Sequence, residues 1–145
     1  MNADKSIEYN IVEIKTNQFA IFENAQETTG GKKSINTSFS YGIDVNEKRF
    51  ICIVDIVYKL DESPVIKIQT QAVYKLKEQS FQIFIEGEDF IMDPQFVKHF
   101  TNLLLNTTRG ILICKLENTQ YNQNILPEIN LEDVIKTPLN IKLNN

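Results

Sequence analysis

The first half of the chain alternates between apolar and polar residues, as β-strands with one covered face do. Arg49–Leu60 is apolar on both faces, which is typical of a strand that is central in a sheet or lies at an interface. Short turns join the last three alternating segments, so the pattern predicts an antiparallel meander. The predicted strands are Ile7–Ile14 with Phe19–Phe22 as its extension, Ile35–Val45, Arg49–Leu60 and Val65–Leu76.

The second half of the chain is dominated by the helical pattern of Gln95–Leu116. Asp93 and Pro94 predict its start, because a carboxylate can cap free N–H groups and proline at the first helical position loses no hydrogen bond. Ile129–Ile135 predicts a second, short amphipathic helix, whereas Lys77–Met92 fits either a fifth short strand or an ordered loop. The wide apolar face of the long helix comprises Phe96, Phe100, Leu103, Leu104, Ile111 and Leu112.

These elements predict an α+β fold in which a four-stranded antiparallel sheet packs with one long helix and a short C-terminal helix. The length of 145 residues is that of one domain, so we expect a single domain over residues 1–145. Residues 136–145 follow the last predicted element and are expected to form a flexible tail.

Charge and composition narrow the classes of partner. The formal net charge is −4 and the basic residues are scattered, which argues against nucleic acid as the main partner. No apolar run reaches about 18 residues, and the N-terminus lacks the layout of a signal peptide, so we expect a soluble cytoplasmic protein without membrane insertion. The two cysteines, Cys52 and Cys114, lie in apolar contexts and are expected to be buried thiols.

Candidate catalytic chemistry is sparse. His99 is the only histidine, and no second histidine or cysteine stands at a spacing that would complete a zinc site. The glycine-lysine run in Thr28–Lys33 lacks the spacing of a phosphate-binding loop. We therefore expect no enzyme, no cofactor and no metal. Gly110, next to Arg109, costs about 1 kcal/mol in a helix interior and so indicates close packing or a helix end.

The apolar surface exceeds what one sheet and one helix can bury, which indicates oligomer or client contacts. We expect a homotetramer, because the long helix has apolar positions on more than one side. The candidate interface residues are Phe100, Leu104, Ile111 and Leu112.

The order of elements and several local strings resemble the SecB family of export chaperones, from about Tyr9 to Ile135. No single string is diagnostic, but their order and spacing together are fairly specific. The strings are Tyr9–Ala25, Arg49–Tyr58, Gln69–Leu76, Thr108–Leu112 with its Arg-Gly, and Leu126–Leu131.

The resemblance implies a dimer of dimers and an ATP-independent holdase that binds unfolded or precursor polypeptides in long apolar grooves for protein export. By the family pattern, the crossover loop and the last helix with its lead-in would line the grooves. The implied groove residues are Phe19, Phe22, Leu126, Ile129, Leu131, Val134 and Ile135.

The sequence departs from the family where export-linked members dock the SecA motor. Lys67 occupies the position of one acidic docking residue, although Glu23 stands where another is expected, and the tail carries two lysines and no acid. Holdase activity is thus better supported than delivery to a SecA-type motor. One alternative is a SecB-fold chaperone dedicated to a single partner such as an antitoxin. The other is an unrelated α+β protein, for example an enzyme that binds its ligand against the sheet, which would need a pocket with convergent polar groups.

Overall fold

A computed structural model describes residues 6–22 and 31–143 of the chain. It divides into two compact units, Met1–Lys77 and Glu78–Asn145, and each is described by itself. The single domain predicted over residues 1–145 stays a prediction.

Within the described residues, the first unit is a four-stranded antiparallel sheet with the order β1-β4-β3-β2. The meander β2-β3-β4 and the central position predicted for Arg49–Leu60 are confirmed. Because β1 and β2 lie at opposite edges, the chain must cross the sheet between them. Residues 23–30 of that connection, including Glu23, lie outside the described residues. The strands are β1 (Tyr9–Ile21), β2 (Lys33–Asp44), β3 (Arg49–Leu60) and β4 (Ser63–Leu76).

Strand β1 is one strand where the sequence predicted two segments. Register shifts between Ile11 and Glu13 and between Thr16 and Gln18 each insert an extra residue opposite β4. Such bulges break the two-residue alternation without ending the strand. Phe19 therefore returns to the same face as Ile11, opposite the buried residues of β4.

One face of the sheet is buried along its two central strands. Alternate residues of β3, from Phe50 to Tyr58, are buried, as are the residues of β4 that pair with them. The Phe50 and Tyr74 rings are stacked at a centroid distance of 6.4 Å, and Tyr9 meets Tyr74 edge-on at 5.9 Å. Cys52 lies on this buried face as predicted, whereas Cys114 is exposed, which corrects the prediction for that thiol.

The second unit contains the predicted long helix, and residues 78–92 are neither a fifth strand of the large sheet nor an ordered loop. They form a short helix and a hairpin, because Phe81 and Phe84 are buried at helical spacing against Phe90. Gly87, at φ +63°, supplies the left-handed turn of the hairpin. The elements are α1 (Glu78–Ile83), β5 (Ile85–Glu86), β6 (Asp89–Met92), α2 (Pro94–Leu116), α3 (Leu131–Val134) and β7 (Leu139–Lys142).

The long helix α2 begins with Pro94 as predicted, but the cap differs from the prediction. The Asp93 side chain makes no capping hydrogen bond; its backbone carbonyl instead accepts from the N–H groups of Phe96 (3.0 Å) and Val97 (3.2 Å). The helix continues through Gly110, and a Cβ built there would meet no atom within 4 Å. Among the described residues, Gly110 thus marks neither a helix end nor a close contact.

The C-terminal part of the chain is more ordered than the predicted tail. Leu139–Lys142 forms β7, which pairs antiparallel with β6. The Lys142 Nζ lies 3.3 Å from the Asp89 Oδ1, and the Leu143 N–H donates to the Glu88 carbonyl at 2.8 Å. The short alternation of Leu139 and Ile141 with polar residues is sufficient for a strand because an edge of the hairpin is available to pair with it.

Candidate functional site

A cleft of about 720 Å³ runs along α2 in the second unit. One wall is a stripe of the helix, and the other is the segment Glu128–Glu132, which leads into and begins α3. The helix residues that line the cleft are Lys98, His99, Asn102, Leu105, Asn106 and Arg109.

Arg109 fixes the start of the opposite wall. Its Nε donates to the Leu126 carbonyl at 2.8 Å, and its Nη2 donates to the Pro127 carbonyl at 3.1 Å. Its Nη1 donates to the Asn106 Oδ1 at 2.8 Å, which holds the guanidinium against the helix. Hydrogen bonds from an ionised donor are stronger than neutral ones, so this fork is the firmest polar link between the two walls.

Lys98 holds the other end of the same wall. Its Nζ lies 2.8 Å from the Glu132 Oε1. The Glu132 side chain is 74% exposed, so water screens this ion pair and it contributes about 1 kcal/mol or less. The pair positions the wall more than it stabilises the fold.

The wall runs antiparallel to α2, because Arg109 holds its start at Pro127 and Lys98, 11 residues earlier on the helix, holds its end at Glu132. It belongs to no helix or strand as far as Asn130 and ends in the first turn of α3. Asn130 then caps α3, since its Oδ1 accepts from the Glu132 N–H at 3.1 Å.

The cleft has an apolar floor and a polar rim. Leu105 and Leu131 are buried, and Ile129 is half-buried. Asn102 and Glu128 are exposed at the rim. This lining is more polar than the long apolar grooves that the family resemblance implies, and it suits an occupant with apolar side chains on one side and polar groups on the other.

The predicted groove residues of the second unit separate into two sets. Ile129 and Leu131 line the cleft, whereas Leu126 is buried and contributes only its carbonyl, through Arg109. Val134 is 55% exposed and Ile135 is half-buried, and neither lines the cleft.

The two predicted groove residues of the first unit lie at and just beyond the end of β1. Phe19 pairs with Ile68 of β4 and is half-buried. Phe22 is 39% exposed, and its N–H donates to the Val65 carbonyl at 2.9 Å. Part of the Phe22 ring is thus exposed to solvent, while its backbone is held to β4 by this hydrogen bond.

The predicted interface residues are mostly interior. Phe100, Leu104 and Leu112 have almost no exposed surface in the single chain, so they are core residues and a second copy cannot reach them without displacing other groups. Ile111 is half-buried. The exposed apolar side chain on α2 that could meet a partner is Ile113.

Sequence reasoning did not identify the polar stripe of the cleft. Lys98, Asn102 and Asn106 stand one helical turn apart and border the apolar face, which is the signal that could have pointed to them. Arg109 was noted only for its neighbour Gly110.

Neither a metal-binding cluster nor a membrane-spanning helix is found among the described residues. In residues 6–22 and 31–143, no three His, Cys, Asp or Glu side chains are grouped so that they could hold a metal ion. In the same part of the chain, no helix is long and apolar enough to cross a membrane.

Comparison with known proteins identifies the fold. No family model matches the chain, and no curated protein matches its sequence significantly. Among solved structures, it is similar to the Mycobacterium tuberculosis SecB-like chaperone Rv1957, in complex with a ChAD peptide from the Rv1956 HigA1 antitoxin. The TM-score is 0.57 at 7% sequence identity, over 84% of this chain and 90% of that chain. The SecB-like α+β fold predicted from the sequence is thereby confirmed.

Proposed function

We propose that the protein is an ATP-independent chaperone that holds extended polypeptide segments. The observation that carries this proposal is the open cleft along α2, whose opposite wall is held at both ends by Arg109 and Lys98. A preformed cleft of this kind binds without first ordering itself, which reduces the entropic cost of association. The similar Mycobacterium tuberculosis protein, which has the same SecB-like fold, is bound to a peptide, and this supports the same proposal.

Exposed apolar side chains supply further contact area in each unit. Phe22 lies in the first unit, and Ile125 and Val134 flank the cleft wall in sequence in the second. We propose that clients contact Phe19, Phe22, Ile129, Leu131, Val134 and Ile135 of the predicted set, while the buried Leu126 supports the wall through its bond to Arg109. The proposal is of a binding protein and not of an enzyme.

We also propose that the working form is a homotetramer built as a dimer of dimers. The C-terminal end of α2, beyond the cleft, supports this, because the exposed Ile113 offers an apolar side chain there and the exposed Gly110 carries no side chain that would keep a second copy away. Apolar surface of this kind stabilises an assembly by roughly 25 cal/mol per Å² buried.

A second candidate is a chaperone dedicated to one partner such as an antitoxin. It is favoured by the peptide bound to the similar Mycobacterium tuberculosis protein, because that peptide comes from an antitoxin.

A role in protein export has less support than either of these two functions. Lys67, where an acidic docking residue was expected, lies in β4 opposite Ala20 and Val57, and the C-terminal segment pairs with β6 as β7.

The test of the holdase proposal is suppression of aggregation. A chemically denatured, slowly folding client is diluted into buffer with and without the protein, in the absence of ATP, and light scattering is followed. The protein should suppress scattering, and a Phe22→Ser, Ile129→Ser double variant should do so markedly less.

The matched control is Ile83→Ser, which removes an exposed isoleucine from α1, away from the cleft lining. It should behave as the parent does. If the parent suppresses nothing but retains one protein partner from its native lysate, the dedicated-partner function replaces the general one.

A further inference from the structure

Two asparagines give the cleft its most regular feature. Asn102 and Asn106 both line it from α2, four residues apart. Their backbone positions are separated by about 6 Å along the helix axis. In an extended chain, equivalent polar groups recur every second residue, at about 6.6–6.8 Å. The spacing of the two amides therefore nearly equals the two-residue repeat of an extended main chain that lies along the helix.

The hydrogen-bonding state of the two amides leaves them available. The Asn106 Oδ1 already accepts from Arg109, which orients the side chain and leaves its amide NH₂ as a donor. The Asn102 side chain makes no hydrogen bond to another described residue. An asparagine amide is both donor and acceptor, as a peptide group is, so it can pair with a peptide backbone.

The charged groups of the cleft disfavour an acidic segment. Lys98 is paired with Glu132 and Arg109 is bonded to two carbonyls and to Asn106, whereas Glu128 is an exposed carboxylate at the rim. The buried Leu105 and Leu131 form an apolar floor. An extended segment with an apolar residue at every second position would place those side chains on the floor and one edge of its backbone against the amides.

On this basis, and resting on the proposed holdase function, we propose that Asn102 and Asn106 bind the main chain of an extended segment. The cleft then selects a segment with alternating apolar residues and no acidic side chain, and it binds the backbone rather than a particular sequence. This property would let one chaperone accept many clients, since every extended chain carries the same backbone groups.

The experiment uses a fluorescent peptide in which leucine and serine alternate, with lysines at its C-terminus for solubility. Two further versions carry N-methyl groups on all leucine or on all serine nitrogens. N-methylation removes backbone donors from one edge of the strand only, because successive N–H groups point to opposite edges. Binding of each peptide is measured by fluorescence anisotropy to the full chain and to an Asn102→Leu, Asn106→Leu variant.

For the parent, one N-methylated peptide should bind about tenfold more weakly than the other, since a backbone hydrogen bond at the amides is lost. The variant should bind both equally, because it has no amides to discriminate between the edges. Gln82→Leu is the control: it removes an exposed amide of α1 outside the cleft and should retain the parent's discrimination. Circular dichroism checks that each variant keeps its fold.

Equal binding of the two N-methylated peptides by the parent, or discrimination that persists in the variant, would overturn the inference. Either result, in a protein that still binds unfolded clients, leaves the holdase function standing. A parent that binds neither the unmethylated peptide nor an unfolded client would remove both proposals.

Discussion

The guanidinium of Arg109 donates through Nε to the carbonyl of Leu126 at 2.8 Å, across 17 residues of sequence. With the second bond to the Pro127 carbonyl, this contact fixes the wall of the cleft to α2. The Arg109 side chain thus acts as a clamp. It holds Leu126 and Pro127 against α2, within a connection between α2 and α3 that contains no helix or strand.

Arg109→Lys should release the wall without removing the charge. A lysine cannot span two carbonyls and an asparagine oxygen, because it lacks the planar fork of a guanidinium. We expect the free energy of unfolding in urea to fall by about 1–3 kcal/mol, and hydrogen exchange over residues 126–131 to accelerate. Arg49→Lys is the control, since Arg49 contacts Glu47 only at 3.9 Å. Unchanged exchange in the Arg109 variant would show that the clamp does not hold the wall.

Tyr74 makes stability depend on alkaline pH. Burial raises the pKa of the Tyr74 phenol well above its usual range, with smaller contributions from Cys52 and Tyr9. The folded protein therefore favours the neutral phenol, while the unfolded chain ionises near pH 10. The stability from this group is complete below about pH 10 and is lost as the pH rises beyond that value. Tyr74→Phe should show a shallower decline of unfolding free energy above pH 10, and an identical slope would contradict the assignment.

Gly110 weakens the helix at a position with free space. Because a Cβ there meets nothing within 4 Å, Gly110→Ala should stabilise the protein by about 0.5–1 kcal/mol, through helix propensity and a less flexible unfolded chain. Thermal unfolding measures the effect. Destabilisation together with a change in mass would show instead that α2 packs closely on a second copy at Gly110.

The proposed tetramer is tested by the mass in solution. Multi-angle light scattering at micromolar concentration should give roughly four times the chain mass of 16.8 kDa. Ile113→Lys should reduce that mass, because Ile113 is exposed on α2 and a lysine would carry its charge into the interface. Ile83→Lys is the matched control on α1. A monomer mass for the parent would remove the tetramer from the account.

Leu104 and Leu112 are unsuitable for that test. Both are buried in the single chain, so a lysine at either position would unfold the protomer as readily as it would separate subunits. An apolar helix face by itself is compatible both with an interface and with the interior of one protomer. The sequence shows that a face is apolar but not which neighbour covers it.

The large sheet was predictable because its strands follow the pattern of alternation and are joined by short turns. Strand β1 was the exception, since two bulges at Ile11/Glu13 and Thr16/Gln18 shift the alternation that identifies a strand. Residues 77–92 were also ambiguous. Phe81 and Ile83 alternate as in a strand, but the packing of Phe81 and Phe84 on Phe90 favours a helix.

The cleft could not be predicted in the same way. Its helix stripe of Lys98, Asn102 and Asn106 has the composition of an ordinary solvent-exposed face. The opposite wall is fixed by bonds from Arg109 to backbone carbonyls, and any residue type can supply a carbonyl. Such a contact leaves no pattern in the sequence, so only the structure shows that the stripe faces a second wall.

Hydrogen exchange in the presence of an unfolded client tests the central claim most directly. Reduced, carboxamidomethylated α-lactalbumin serves as the client, because it cannot refold, and no ATP is added. Glu128–Asn130 belongs to no helix or strand, so its amides should exchange faster in the free protein than those of α2. We predict slower exchange at residues 128–131 when the client is bound, with the β5–β6 hairpin unaffected. Unchanged exchange at residues 128–131 at saturating client would contradict the proposed binding of clients in the cleft.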